Sequence, residues 1–201
     1  MYSLPANTLI NQPLYKKTVF EKFNLKTVER ERFDADISKM ALVARISPAT
    51  VPALAEGQET KGFYVLQVSL KQRDYDAKNI LLLQKLIPQK IVYALQFEEQ
   101  TQLCIFHTRL QQSDWVPTES ATIPLNGLSL DDVWNNIVAT IGGLDVQAKE
   151  TIEEQIIHRE QREKLLRQIE TLEKRARTEK QTRKKYELHQ QIIKLKDELG
   201  K

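Results

Sequence analysis

The chain has 201 residues, 30 Lys and Arg against 27 Asp and Glu, and 41% hydrophobic residues, which suits one domain with an appendage or two small domains and excludes a wholly disordered chain. Apolar stretches such as 80–83 and 91–95 fall far short of the roughly 20 residues of a membrane span. The N-terminus lacks a basic start followed by an apolar block, so neither a membrane segment nor a secretory leader is expected. Cys104 is the sole cysteine, which rules out an internal disulfide and a cysteine-rich metal site. A cytoplasmic protein without a cofactor is the expectation. The net charge of +3 hides an asymmetry, because residues 146–201 carry +4 and residues 1–145 carry −1.

In chain order, residues 1–12 read as an arm without periodicity, and Pro13 suits the first position of a short helix over Leu14 to Phe23. A second helix is predicted from Thr27 to about Ile37, with Phe33, Ile37 and Met40 at helical spacing on its inner side. The period then changes to two. Residues Met40–Ile46 read as a strand stopped by Ser47-Pro48, and residues 62–71 form the clearest strand, with Tyr64, Leu66, Val68 and Leu70 on one apolar face. Asp76 is placed to cap a helix through about Ile87 that Pro88 stops. Strands over 90–97 and 103–107 flank Glu98-Glu-Gln-Thr101 and form a hairpin. Residues 110–128 read as a loop. Ser129-Leu-Asp-Asp132 then resembles a capping box and opens a helix that Gly142-Gly143 closes. The order predicts an α+β domain over residues 1–143, with a mixed sheet of about four strands and packed helices.

Residues 144–201 lack proline, and glycine appears there only at Gly200. Leu165, Ile169, Leu172 and Ala176 step by coiled-coil intervals, and Leu188, Ile192, Leu195 and Leu199 repeat the steps. The two sets are out of register, since Leu165 and Leu188 lie 23 residues apart, which is three heptads plus two. A turn within about 176–183 would fold the pair into an antiparallel hairpin, whereas a long helix with a register shift is the alternative. Leu165, Ile169, Leu172, Leu188, Ile192 and Leu195 are the candidate apolar contacts, either with the other arm or with a partner chain, including a second copy. Around the expected turn gather Arg175, Arg177, Lys180, Arg183, Lys184 and Lys185. Each can neutralise a nucleic-acid phosphate or an acidic protein group, and the alternative is plain solvation of helix faces.

The runs Phe33-Asp34-Ala-Asp36-Ile37, Tyr64 to Lys71, Leu86-Ile87-Pro88-Gln89-Lys90 and Ser113-Asp114-Trp115, with the tail blocks Glu179-Lys-Gln181 and Lys184-Lys185-Tyr-Glu-Leu188, resemble a widespread bacterial family known only as a domain of unknown function. The resemblance covers nearly the whole chain. Members are often encoded beside helicase and DNA-methyltransferase genes of restriction or antiphage type, so the resemblance implies a helicase or methyltransferase partner and a place in DNA or RNA processing. It supplies no catalytic residues.

Two chemistries compete with a binding role. A restriction-type nuclease needs an acid on one strand and an acid-x-lysine pair on the next to hold Mg²⁺. The candidates here are Asp34, Asp36, Gln67 and Lys71, but Gln67 and Ser69 stand where an acid belongs. Asp34 and Asp36 would diverge by about 200° on a helix, and both read as solvated residues. The three histidines have no metal-ligand spacing. A coiled-coil homodimer without a nucleic-acid role is the other alternative. The reading favoured by the residues is a non-catalytic accessory subunit whose basic hairpin contacts a partner protein or nucleic acid.

Overall fold

The computed structural model describes residues 1–145 and 150–200. Its elements run β1 (Leu9–Leu14), α1 (Lys16–Lys22), α2 (Thr27–Asp36), β2 (Ile37–Ile46), β3 (Phe63–Leu70), α3 (Ala77–Leu86), β4 (Lys90–Phe97), β5 (Gln100–His107), β6 (Arg109–Pro117), α4 (Leu130–Gly142), α5 (Ile152–Thr178) and α6 (Thr182–Leu199). They fall into two compact units, Met1–Ala148 and Lys149–Lys201.

In the first unit, one sheet orders its strands as they occur in the chain, β1-β2-β3-β4-β5-β6. Every neighbouring pair is antiparallel except β3 and β4, which are parallel across the α3 crossover. The sheet is therefore mixed, as expected, but has six strands where the sequence suggests about four. The two additional strands are its edges. Residues 9–14 pair with β2 instead of forming an arm, and the helix that follows begins at Lys16 rather than Leu14. Pro13 is tolerated because an edge strand leaves one row of its amides outside the ladder. Residues 109–117 pair with β5 through a tight turn at Thr108, whose φ of 51° is left-handed. β2 also starts at Ile37, earlier than Met40, directly from the end of α2.

Period-two alternation gives the sheet two distinct faces. Leu66, Val68 and Leu70 of β3, Ile91, Tyr93 and Leu95 of β4 and Cys104 of β5 share a buried cluster with Val19, Phe33, Ile80 and Leu83 from α1, α2 and α3. Full burial of such aliphatic side chains is worth about 1.5–3 kcal/mol each before entropy is counted. On the other face Phe63 meets Trp134 of α4, ring centroids 5.6 Å apart. α4 starts with the expected capping box: Ser129 Oγ accepts from the Asp132 amide, and the Asp132 carboxylate accepts from the Ser129 amide. It ends at Gly143, whose φ of 60° is the left-handed conformation that glycine enters without a Cβ penalty.

Asp131, in the first turn of α4, closes the long loop after β2. Its carboxylate accepts from the amides of Gln58 (2.6 Å) and Thr60 (2.7 Å), and more weakly from Glu59 (3.3 Å). A Cβ at Gly57 would lie 2.4 Å from that carboxylate, so only glycine allows the approach. The Thr60 hydroxyl first, and then the three amides, hold the Asp131 carboxyl below the usual aspartate range. A folded-state pKa below the unfolded one contributes stability that is present at neutral pH and is lost as pH falls through the folded value. Acid titration followed by tryptophan fluorescence should show a loss of stability below about pH 4, and Asp131→Asn should make that loss smaller while lowering stability at pH 7. An unchanged acid profile in the variant would remove Asp131 from the linkage.

The second unit is a pair of helices. α5 opens with a full capping box between Thr151 and Glu154, leaves helical geometry at residues 179–181, and α6 returns along it. Ile169 and Ala176 of α5 and Ile192 of α6 are buried together, with Leu172, Leu188, Leu195 and Leu199 packed around them. Lys196 Nζ donates to Glu173 at 2.8 Å across the pair and holds that carboxyl below its usual range. The out-of-register apolar stripes are thus joined by a turn inside the expected window. Among the described residues no helix is long and apolar enough to cross a membrane.

Candidate nucleic-acid interface

The hairpin turn gathers the predicted cations. Arg175 and Arg177 lie in the last turn of α5, Lys180 lies between the helices, and Arg183, Lys184 and Lys185 lie in the first turns of α6; all six are exposed. Among the described residues Arg183 is the one of the six with an ion pair, to Glu187 one turn on (3.2 Å). Lys174, the seventh basic residue of the stretch, is paired with Glu170 at 2.7 Å.

The two ends meeting at this turn are electrostatically unlike. Arg175 and Arg177 sit at a helix C-terminus, where cations complement the macrodipole. Arg183 and Lys184 sit at a helix N-terminus, where they oppose it, and the first turn of α6 has no acid. Gln181, the N-cap, makes no side-chain capping bond, and the Glu179 carboxylate accepts from its amide at 2.9 Å, so the amides of the first turn beyond it lack a capping side chain. The start of α5, with its Thr-Glu box and acidic first turn, is the reverse in every respect. The turn is therefore a place where a further anion would find exposed cations and first-turn amides without a capping side chain.

The apolar candidates divide. Ile169, Leu172, Leu188, Ile192 and Leu195 pack against one another within the hairpin, and Leu165 lies outside that cluster. Of the nuclease candidates in the body, Asp36 and Lys71 adjoin through their backbones, while Asp34 and Gln67 have other partners. Asp34 faces out and pairs with Lys16 of α1. Gln67, half-buried on β3, donates to the Gln96 side chain of β4, which donates in turn to the Tyr2 hydroxyl. Its own Oε1 is buried without a partner among the described residues. Lys71 follows β3, and its amide donates to the Asp36 carbonyl at 2.7 Å.

Asp36 corrects the expectation of a solvated residue. It is 5% exposed, and its carboxylate accepts from Gln72 Nε2 (2.7 Å), the Asp76 amide (2.8 Å) and Asn79 Nδ2 (2.7 Å). It ties the end of α2 to the start of α3 and to the segment between β3 and α3. Neither Gln72 nor Asn79 stands at a spacing that would signal this from the sequence. Among the described residues no group of three or more His, Cys, Asp or Glu side chains is placed to hold a metal ion. Cys104, buried beside Tyr75, has its thiol pushed up to about 12 by burial, which leaves it protonated and unreactive.

No match to this chain was found among curated proteins or solved structures. One family model does match, from residue 3 to residue 199, and so spans the sheet, its helices and the hairpin together. The chain belongs to that family, the domain of unknown function DUF4391.

Proposed function

We propose that this chain is a non-catalytic binding subunit of a nucleic-acid-processing system, and that the turn of its C-terminal hairpin contacts nucleic-acid phosphates. The observation that carries this reading is the set of six exposed cations at residues 175–185, three of them placed against the dipole of the helix they begin. Surface charges that merely solubilise a helix are mixed in sign and follow the dipole; these are clustered, and those that begin α6 oppose it. The body supplies a folded platform on which a larger enzyme docks, and the resemblance described above favours a helicase or DNA methyltransferase in that role.

The test is fluorescence anisotropy of a labelled oligonucleotide with the full chain, repeated over a salt series. Each phosphate neutralised contributes about 0.7–0.9 to the slope of log K against log salt, so a slope of at most about −4 to −5 is expected from six contacts. Replacing Arg175, Arg177, Lys180, Arg183, Lys184 and Lys185 together by Gln should abolish most of the affinity and flatten the slope. Unchanged affinity and slope in that variant would show that the turn is not the contact.

A further inference from the structure

The hairpin turn has two flanks, and they are chemically different. One is a groove of about 500 Å³ whose lining includes Ala176, Arg177, Lys185, His189 and Ile193. The small side chain of Ala176, buried in the seam, leaves its floor low. The single acid lining this groove, Glu173, is engaged by Lys196. The opposite flank mixes Arg175, Lys180 and Lys184 with the carboxylates of Glu179 and Glu187. Cationic character without competing acid is therefore confined to the first flank.

That flank continues onto an aromatic ring. Each α-helical residue advances the azimuth by about 100°, which brings Tyr186 to within about 20° of Ile193 and next to the row formed by Lys185 and His189. Tyr186 is 65% exposed and Ile193 51% exposed, and both stand clear of the hairpin's internal cluster. A basic groove bordered by a free aromatic face is what an unpaired strand recognises: its phosphates follow the cations and its bases, unstacked, settle on the ring. A duplex keeps its bases stacked inside and gains nothing from the ring.

We infer that the nucleic acid taken by this hairpin is single-stranded, with phosphates along Arg177, Lys185 and His189 and a base stacked on Tyr186. This rests on the proposed phosphate-binding role of the turn and adds the strand state and the flank.

The experiment uses the full chain and anisotropy of a short labelled oligothymidylate, an oligouridylate and a duplex of equal length at low salt. The single strands should bind about tenfold or more tighter than the duplex. Tyr186→Ala should weaken single-strand binding about tenfold, while Tyr186→Phe keeps it. Arg177→Gln with Lys185→Gln should weaken it far more than Arg175→Gln with Lys184→Gln. Either single strand bound in this way supports the inference, and the stronger of the two identifies DNA or RNA as its source. Equal binding of the duplex, indifference to Tyr186→Ala, or loss confined to the Arg175 and Lys184 pair overturns the inference and leaves the phosphate-binding role standing. Failure of all three probes to bind removes both.

Discussion

Asp36→Asn should lower the unfolding free energy of the body by about 3 kcal/mol. The carboxylate is 5% exposed and takes three hydrogen bonds, from Gln72, the Asp76 amide and Asn79. Asn keeps the shape but presents an NH₂ where two of those donors converge on Oδ2, or on the other rotamer meets the Gln72 amide group. At least one buried donor then loses its acceptor, at a cost of about 1–3 kcal/mol, and the remaining bonds lose their charge assistance, about half their strength. Urea unfolding monitored by tryptophan fluorescence reads the body directly, because both tryptophans, Trp115 and Trp134, belong to it. The sign matters as much as the size. Carboxylates kept for catalysis or metal binding are commonly held at the expense of stability, and their neutralisation tends to stabilise. A rise in stability with Asp36→Asn would therefore favour the nuclease alternative, and a fall assigns Asp36 to the joint between α2 and α3.

The second large effect is expected in the hairpin. Ile192→Asp should unfold α6 while leaving the tryptophan signal of the body intact. Ile192 is 5% exposed in a seam where, among the described residues, Ile169 and Ala176 are the other buried side chains. An Asp there removes the apolar side chain from between Ile169 and Ala176 and sets a carboxylate in the seam; even with Lys196 one turn on, the lost burial and the desolvation together cost several kcal/mol, more than a two-helix unit of this size holds in reserve. Far-ultraviolet circular dichroism should fall by the signal of about 18 helical residues, with oligonucleotide binding lost in parallel. Retention of full helicity would mean that the seam is not what holds α6 in place.

The sequence discloses structure wherever one face of an element is buried and the other is not. β3 alternates cleanly because Leu66, Val68 and Leu70 enter the core while Gln67 and Ser69 do not. α4 announces itself through Ser129 and Asp132, and the hairpin through the two-residue slip between its apolar stripes. The edge strands gave no such signal. Residues 9–13 are exposed throughout, and β6 mixes half-buried and exposed positions without strict alternation, so neither carries a period to read. Pro13 argued further against a strand. Asp36 was illegible for another reason: its three donors come from residues 36 to 43 positions further on, and it is the pairing of β2 with β3, Ile37 opposite Leu70, that returns the chain to it. The six cations of the turn could be named from composition, but their division between a purely basic flank and a mixed one depends on where Glu173, Glu179 and Glu187 fall once the helices pair.

The strand order of the sheet has a kinetic consequence. Because neighbours in space are also neighbours in sequence, no strand has to wait for a distant segment before finding its partner, and the entropy of closing each loop stays small. The β4–β5–β6 meander, joined by Glu98-Glu99 and by Thr108 alone, is the segment with the shortest connections and the natural place for ordering to begin. During synthesis, however, β1, β2 and β3 leave the ribosome first and must lie beside an unfinished edge until α3 and β4 arrive. The one parallel pair in the sheet forms only through the α3 crossover, so the hydrogen-bonding edge of β3 stays unpaired until β4 has emerged.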